Sequence, residues 1–596
     1  MDGAAAMMTP DPYGSSIMDL GRNWWRESII YEIYVQSFQD TNGDGIGDIP
    51  GVIQRLDYLK KLGVDMLWLT PVNKSPFKDQ GYDISDYTDI NEKFGTLADF
   101  EELMAKVHQK GMKIMLDVVF NHTSEEHAWF LESKTSKANP KRSWYFWRPG
   151  KRAEDGTLKP PNNWESLFGG PAWTFDETTG EYYLHLFSTH QPDLNWDNPE
   201  VRQAVADVCD FWLQKGMDVI NLISKVPGLP DADVVDPSRD VQPALSMFTN
   251  GPNVHKYLRE LNQRVLSKYD ICTVGEMPCG VDKDEASLYV ARERKELSMV
   301  FQFKHMELDS TQGSKWDIRH WELPELEGIF RSWQQHMLGN HGWNALYLEN
   351  HDQTRALTRF GRTNDPKYRR VCAKMLCTFY MTLRGTPYIY QGQELGMRPP
   401  QTWSIDQFRD VETLNYYRIE YQKRKLKDPG SEPDMSDVLQ RVALRSRDNV
   451  RIPMQWDRSH PNAGFTDPNV EPWLRMGDCI DEINAEREMT DPDSVYAYYK
   501  RLIHLRKSFA FLSYGAYVPL TFDDPDVIAF LRAQGPFRSM IICSFSKENI
   551  EWEIPHEIKI NMAVLQISNY GVEEDVCPRR MKLRPYETRI YGLRAE

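Results

Sequence analysis

Acidic and imidazole side chains recur at one kind of place in this sequence, just after short apolar runs. MLDVVFNH carries Asp117, Asn121 and His122, TVGE delivers Glu276, and LYLENHDQTR delivers Asn350, His351 and Asp352. YQGQELGM supplies a further polar end. A single carboxylate in such a spot is ordinarily a cap or an ion-pair partner. Several at successive run ends predict convergence on one site, where carboxyl and imidazole groups do general acid–base work. The segment DTNGDGIGD offers different chemistry: oxygen ligands at Asp40, Asn42, Asp44 and Asp48, the Ile46 carbonyl between them, and Gly45 for a tight turn. That is the spacing of a Ca2+ loop (Mg2+ is the alternative ion). It is not an EF-hand, because the twelfth position is Gly51 and not Glu. The competing reading is an Asx-turn loop without an ion.

The elements that carry these ends alternate. Strands are predicted at Ile29–Val35, Val64–Leu69, Met112–Phe120, Met217–Ile223, Ile271–Gly275, Leu297–Phe303, Ala345–Leu348 and Pro387–Tyr390. Between them helices are predicted at Ile53–Lys61, Leu97–Lys110, Pro199–Lys215, Val254–Tyr269 and Tyr368–Leu383, with another at Val495–Arg506. About eight β-then-α units predict an α/β fold, a closed (β/α)8 TIM barrel whose active site lies at the C-terminal strand ends. Residues 123–190 break the rhythm with Trp, Pro and Gly and read as a subdomain inserted after the third strand. Residues 396–495 read as polar and Pro-rich. From 516 the pattern is all-β, predicting a C-terminal antiparallel β-sandwich over 516–596. The barrel would then occupy 24–122 and 191–515, after a flexible lead-in over 1–23.

Composition narrows the partners. The 596 residues are 41% hydrophobic and 27% charged, ample for a large core. A net charge of −16 argues against nucleic acid or an anionic membrane as partner. Aromatic residues at 12% suit a site that stacks the flat faces of sugars, and equally a large aromatic core. Eight cysteines are too sparse for a disulfide scaffold, and six residues separate Cys272 from Cys279, which is not a zinc spacing. With no signal-like start and no membrane-length apolar run, a soluble cytoplasmic monomer with reduced thiols is expected.

Taken together, SIIYEIYVQSFQDTNGDGIGDIPG, GYDISDY, DVVFNHTS, QPDLNW, VINLISKVPGLP, TVGEM, ENHDQTR and RDNVRIPMQW resemble the α-amylase family of glycoside hydrolases, in its oligo-1,6-glucosidase and maltase branch. The resemblance runs in the family's order from about Trp24 onward. It implies a retaining α-glucosidase that releases glucose from short α-glucosides such as isomaltose, maltose or sucrose, with a small oligosaccharide as partner. It assigns Glu276 as acid/base and Asp352 as the acid that stabilises the transition state, with Asp218 the candidate nucleophile. Asp79, Tyr82, His122, Gln191, His351 and Arg451 would hold the non-reducing glucose and the charge beside it. The loop at Asp40–Asp48 would hold the family's structural calcium.

One segment departs from the pattern. The family's fourth strand resembles GMDGFRMDVINL, whereas this chain reads Gly216-Met217-Asp218-Val219-Ile220-Asn221-Leu222, five residues shorter. Asp117 lies six residues past Gly111, but Asp218 lies two past Gly216. At about 3.3 Å per residue, two steps do not cross the wall that a neighbouring strand crosses in six. The arginine that precedes the family's nucleophile is missing, so a catalytically impaired relative, a scaffold or regulator, is the alternative expectation. Val219, in the position after the nucleophile, resembles the α-1,6-cleaving members and predicts isomaltose over maltose.

Overall fold

The computed structural model describes residues 23–215, 229–235, 239–277, 280–311, 314–361, 365–401, 403–558, 562–572 and 577–594. Barrel strands are β1 (Ile30–Ile33), β2 (Met66–Leu69), β3 (Lys113–Leu116), β4 (Val274–Glu276), β5 (Met299–Phe301), β6 (Ala345–Leu346) and β7 (Thr386–Tyr390). Five of them form one sheet in the order β6-β7-β1-β2-β3, and β4 pairs with β5. All these pairs are parallel, and a parallel bridge from Val300 to Asn344 joins β5 to the approach to β6. The strands are apolar on both sides because a barrel strand faces the filled interior and the helical ring at once, as in the fully buried MLWL of β2. The strand expected at Met217–Ile223 lies outside the described residues.

Helices form where a cap and an apolar stripe coincide. Leu97–Gln109 starts on a Thr96/Asp99 capping box and buries Phe100, Leu103, Met104 and Val107, one face at helical spacing. Pro199–Gln214 starts on Asn198 with proline in its first turn and buries Val201, Val205, Val208, Cys209 and Trp212. The helix expected at Ile53–Lys61 is instead two, Ile49–Gln54 and Leu56–Leu62, broken at Arg55. It begins early because Asp48 accepts the Gly51 N–H and Pro50 occupies the first turn. Among the described residues the polar stretch 396–495 holds unforeseen helices, of which Val411–Lys427 and Ser436–Arg445 are the longest. Val411–Lys427 buries only Thr413 and so has no apolar stripe to read.

Within 123–190, Trp147–Arg148, Glu181–Leu184 and Trp173–Asp176 form a small antiparallel sheet. Phe146, Trp164, Trp173, Tyr182 and Leu184 belong to a separate core there. At the C-terminal end, β8 (Ala516–Pro519), β9 (Val527–Gln534), β10 (Phe537–Ser544), β12 (Met562–Ser568) and β14 (Thr588–Arg594) pair in the order β8-β9-β10-β14-β12. The remaining two, β11 (Ile550–Glu553) and β13 (Arg580–Leu583), pair with each other. Alternation sorts the faces of β9. Val527, Ala529 and Leu531 pack with Trp552, Ile554, Met581 and Leu583 as a sandwich, while Ile528 and Phe530 join the barrel's core.

Candidate active site

Because the barrel strands are parallel, every strand end reaches the same rim. Glu276 ends β4 there, half-buried, with Met277 N–H donating to the Phe301 carbonyl at 2.9 Å. Asp117 follows β3, and the chain then bridges His122 to Asp193. Asn121 Nδ2 donates to Asp193 Oδ1 at 2.8 Å, which draws Gln191 into the site. Gln191 is fully buried and donates to Asp79 Oδ2 at 2.9 Å. The His122 Nε2 sits 2.9 Å from the Tyr82 carbonyl and 3.0 Å from Gln191 Nε2.

A second chain of contacts runs through His351. Its Nδ1 meets Glu32 Oε1 on β1 at 2.5 Å, and its Nε2 lies 2.7 Å from the Tyr82 hydroxyl and 3.3 Å from Asp352 Oδ2. Tyr82 in turn donates to Asp117 Oδ2 at 2.8 Å. The Tyr82 and His351 rings stack, with centroids 5.3 Å apart and planes 9° from parallel. Burial alone would lower the imidazole's pKa, but Asp352 and Glu32 outweigh it and push His351 up to about 10. It is therefore an imidazolium with both N–H groups donating.

Three cations face Asp352. Arg451 Nη2 is 2.6 Å from its Oδ1, Arg447 Nη1 is 3.5 Å away, and His351 is the third. Burial would raise this carboxyl, yet His351, Arg447 and Arg451 together hold it well below the ordinary carboxylate range. Asp117 shows the opposite balance: burial pushes it up to about 6 against His351 and Tyr82. Burial also raises Asp79 and Glu32 above the usual value, against Arg447 and His351 respectively. One rim thus carries a carboxylate fixed in its charged form close to carboxyls biased toward protonation.

The structure brings together Asp79, Tyr82, His122, Gln191, His351, Asp352 and Arg451, and sets Glu276 on their rim. Asp218 lies outside the described residues. Sequence reasoning missed Arg447, Glu32 and Asp410. Arg447 donates to Asp79 Oδ1 at 2.9 Å and Asp410 Oδ1 at 2.7 Å, tying the pocket wall to the segment before helix Val411–Lys427. The available signal was its place at the head of RDNVRIPMQW, four residues before Arg451, a spacing that one helical turn at Asp448–Arg451 converts into proximity. Glu32 is a lone acid inside an otherwise apolar buried strand, which is itself a signal.

In the Asp40–Asp48 loop, Asp40 Oδ2 accepts the Gly45 N–H at 2.8 Å and Gly45 takes φ +85°. The Asn42 and Asp44 side chains each accept the N–H two residues on. Asp48 accepts from Thr41 and Gly51. The donor set suits a hard cation, and the Gly45 bend is the one an oxygen-ligand loop makes. Among the described residues no group of three or more His, Cys, Asp or Glu side chains is gathered as a metal site.

A profile of the α-amylase catalytic domain matches residues 32–515. An oligo-1,6-glucosidase of Parageobacillus thermoglucosidasius is 50% identical over 578 residues, covering 96% of this chain and 99% of that protein. An α-glucosidase of Schizosaccharomyces pombe is 41% identical, covering 96% and 98%. Among solved structures, the isomaltulose synthase of Klebsiella sp. LX3 superposes with a TM-score of 0.89 at 40% identity, covering 96% of this chain and all of that one.

Proposed function

The chain belongs to the α-amylase family and is an α-glucosidase-type glycoside hydrolase, and on that premise we propose that it releases glucose from the non-reducing end of short α-glucosides with retention. The observation that carries this reading is the buried polar network at the strand ends. Asp79, Arg447, Gln191 and His122 interlock there, and beside them Asp352 is held in its ionised form.

In the proposed mechanism Glu276 protonates the leaving oxygen and later activates water. Tyr82 and His351 hold the glucose unit, and the Asp352 carboxylate balances the positive charge that grows at the anomeric carbon. Asp218 is the proposed nucleophile, by resemblance alone. The proposed α-1,6 preference rests on Val219 in the sequence and on the relatives named oligo-1,6-glucosidase. A catalytically impaired role rests only on the short fourth-strand segment, and the glucosidases this chain resembles lend it no support. Incubating the chain with isomaltose and following the released sugar by proton NMR tests the proposal. α-Glucose should appear in excess of its equilibrium share, since only the non-reducing half reports the stereochemistry and the reducing half is released as both anomers. An excess of β-glucose over its equilibrium share, or no glucose at all, would reject it.

We further propose one calcium ion in the Asp40–Asp48 loop, supported by the alternating oxygens and the Gly45 bend. It would stiffen the loop and take no part in the reaction. No helix among the described residues is long and apolar enough to cross a membrane. The seven described cysteines form no disulfide. Their free state supports a reducing, cytoplasmic setting.

A further inference from the structure

At the opposite rim of the barrel, where β7 begins, four arginines converge from four distant segments. Arg384, Arg506 and Arg532 are 1%, 2% and 0% exposed, and Arg26 is 4% exposed. Arg506, on helix Val495–Ser508, donates to the carbonyls of Leu383 and Gly385, which flank Arg384. It also reaches the Leu512 carbonyl at 3.4 Å, and Arg532 on β9 donates to the same oxygen at 3.1 Å. Arg384 donates to the Gly342 carbonyl at 3.1 Å. Its guanidinium carbon lies 4.7 Å from the centre of the Trp343 ring, and that of Arg26 lies 4.9 Å from the same ring.

None of Arg384, Arg506 and Arg532 has an ion-pair partner among the described residues. The nearby acids are engaged elsewhere: Glu27 accepts from the Tyr514 hydroxyl, and Glu327 pairs with Arg331. Five nitrogens have no hydrogen-bond acceptor, namely Nε and Nη2 of Arg384, Nε of Arg506, and Nε and Nη1 of Arg532. Burial, followed by Arg506 and Arg384, drives Arg532 well below the usual arginine range, and burial takes Arg384 and Arg506 down to about 9. Carbonyl dipoles satisfy part of Arg506, but they do not neutralise several buried charges. Acceptors are what the site lacks, and a negative charge would meet both shortages at once.

We propose that this cluster holds one small monovalent anion of the chloride type, taken by the unmatched N–H groups of Arg532 and Arg384 with Arg506 behind them. Carbonyl oxygens already crowd Arg506, so a multi-oxygen anion would set acceptor against acceptor, whereas a single-atom anion would not. The ion would cross-link the barrel floor, helix Val495–Ser508 and the C-terminal sheet, far from Asp352, and so would act on stability and not on the reaction.

The test is thermal unfolding of the full chain at constant ionic strength, exchanging gluconate for chloride, together with bromide-soaked crystals. At about 2 cal/mol/K of unfolding entropy per residue, the midpoint of so long a chain should rise about 1 °C for each tenfold increase in halide above its dissociation constant. Anomalous density for bromide should lie within hydrogen-bonding distance of the Arg532 guanidinium, and Arg532→Met should abolish the halide dependence. A halide-independent midpoint, with water or a carboxylate of the chain's own ends in that density, would overturn the proposal. The wild-type measurements decide the matter even if the variant fails to fold.

Discussion

Replacing Arg451 with methionine tests the charge arrangement around Asp352 most directly. Arg451 is fully buried, its Nη2 lies 2.6 Å from Asp352 Oδ1, and its Nε donates to the His351 carbonyl at 2.9 Å. Opposite charges about 4 Å apart at an effective dielectric of about 20 attract by about 4 kcal/mol. The Asp352 side chain keeps 34% of its surface open, and Arg447 and His351 remain beside it. Solvent and those two cations reduce the loss to about 2 kcal/mol. If that charge supports the transition state, kcat/KM on p-nitrophenyl α-glucoside should fall about thirtyfold at pH 7. Asp352 should also become a weaker acid, so the acid limb of the pH–rate profile should move upward. The stability sign follows from the same pKa. A carboxyl depressed in the folded chain contributes stability above its unfolded value, and loses it as pH falls through the depressed one. The variant should therefore be less stable than the parent at pH 7, with the gap closing only below the ordinary aspartate range. A variant within threefold of the parent rate and with an unmoved acid limb would refute the reasoning.

Other outcomes follow from named contacts. Inserting Gly-Phe-Arg-Met-Asp between Asp218 and Val219 should raise glucosidase activity by orders of magnitude if the short segment limits the nucleophile; equal rates in side-by-side assays would show that Asp218 already serves. Glu394 is fully buried and accepts from Tyr31 and Tyr58, and burial raises it to about 7. Its contribution to stability is therefore full below pH 4.5 and lost as pH rises through 7. Glu394→Gln should remove that loss, about 3 kcal/mol, so the variant's midpoint should fall less than the parent's between pH 5 and pH 8; identical slopes would contradict this. Chelation should lower the melting temperature through the Asp40–Asp48 loop, and an unchanged curve with no ion by elemental analysis would remove the calcium.

The sequence by itself determined whatever depends on neighbours along the chain. Apolar runs alternating with capped amphipathic stretches specify strands and helices, and the βαβ succession then has essentially one closed parallel solution. That places Asp117, Glu276, Asn350 and Asp352 at strand ends before any contact is known. The alternating oxygens of Asp40, Asn42, Asp44 and Asp48 are legible for the same reason, since their spacing is local to one loop. What lacks a local signature was lost: helix Val411–Lys427 has no apolar stripe, and the fracture at Arg55 is a backbone event. The charge states were decided by tertiary structure alone. Glu32 and His351 lie 319 residues apart, and Arg447 and Asp79 lie 368 apart. A pKa is set by burial and by charges within a few ångströms, quantities that exist only once distant segments share a low-dielectric rim. For the same reason no periodicity announced the arginines at the other rim, because Arg384, Arg506 and Arg532 are ordinary residues until folding sets them beside one another.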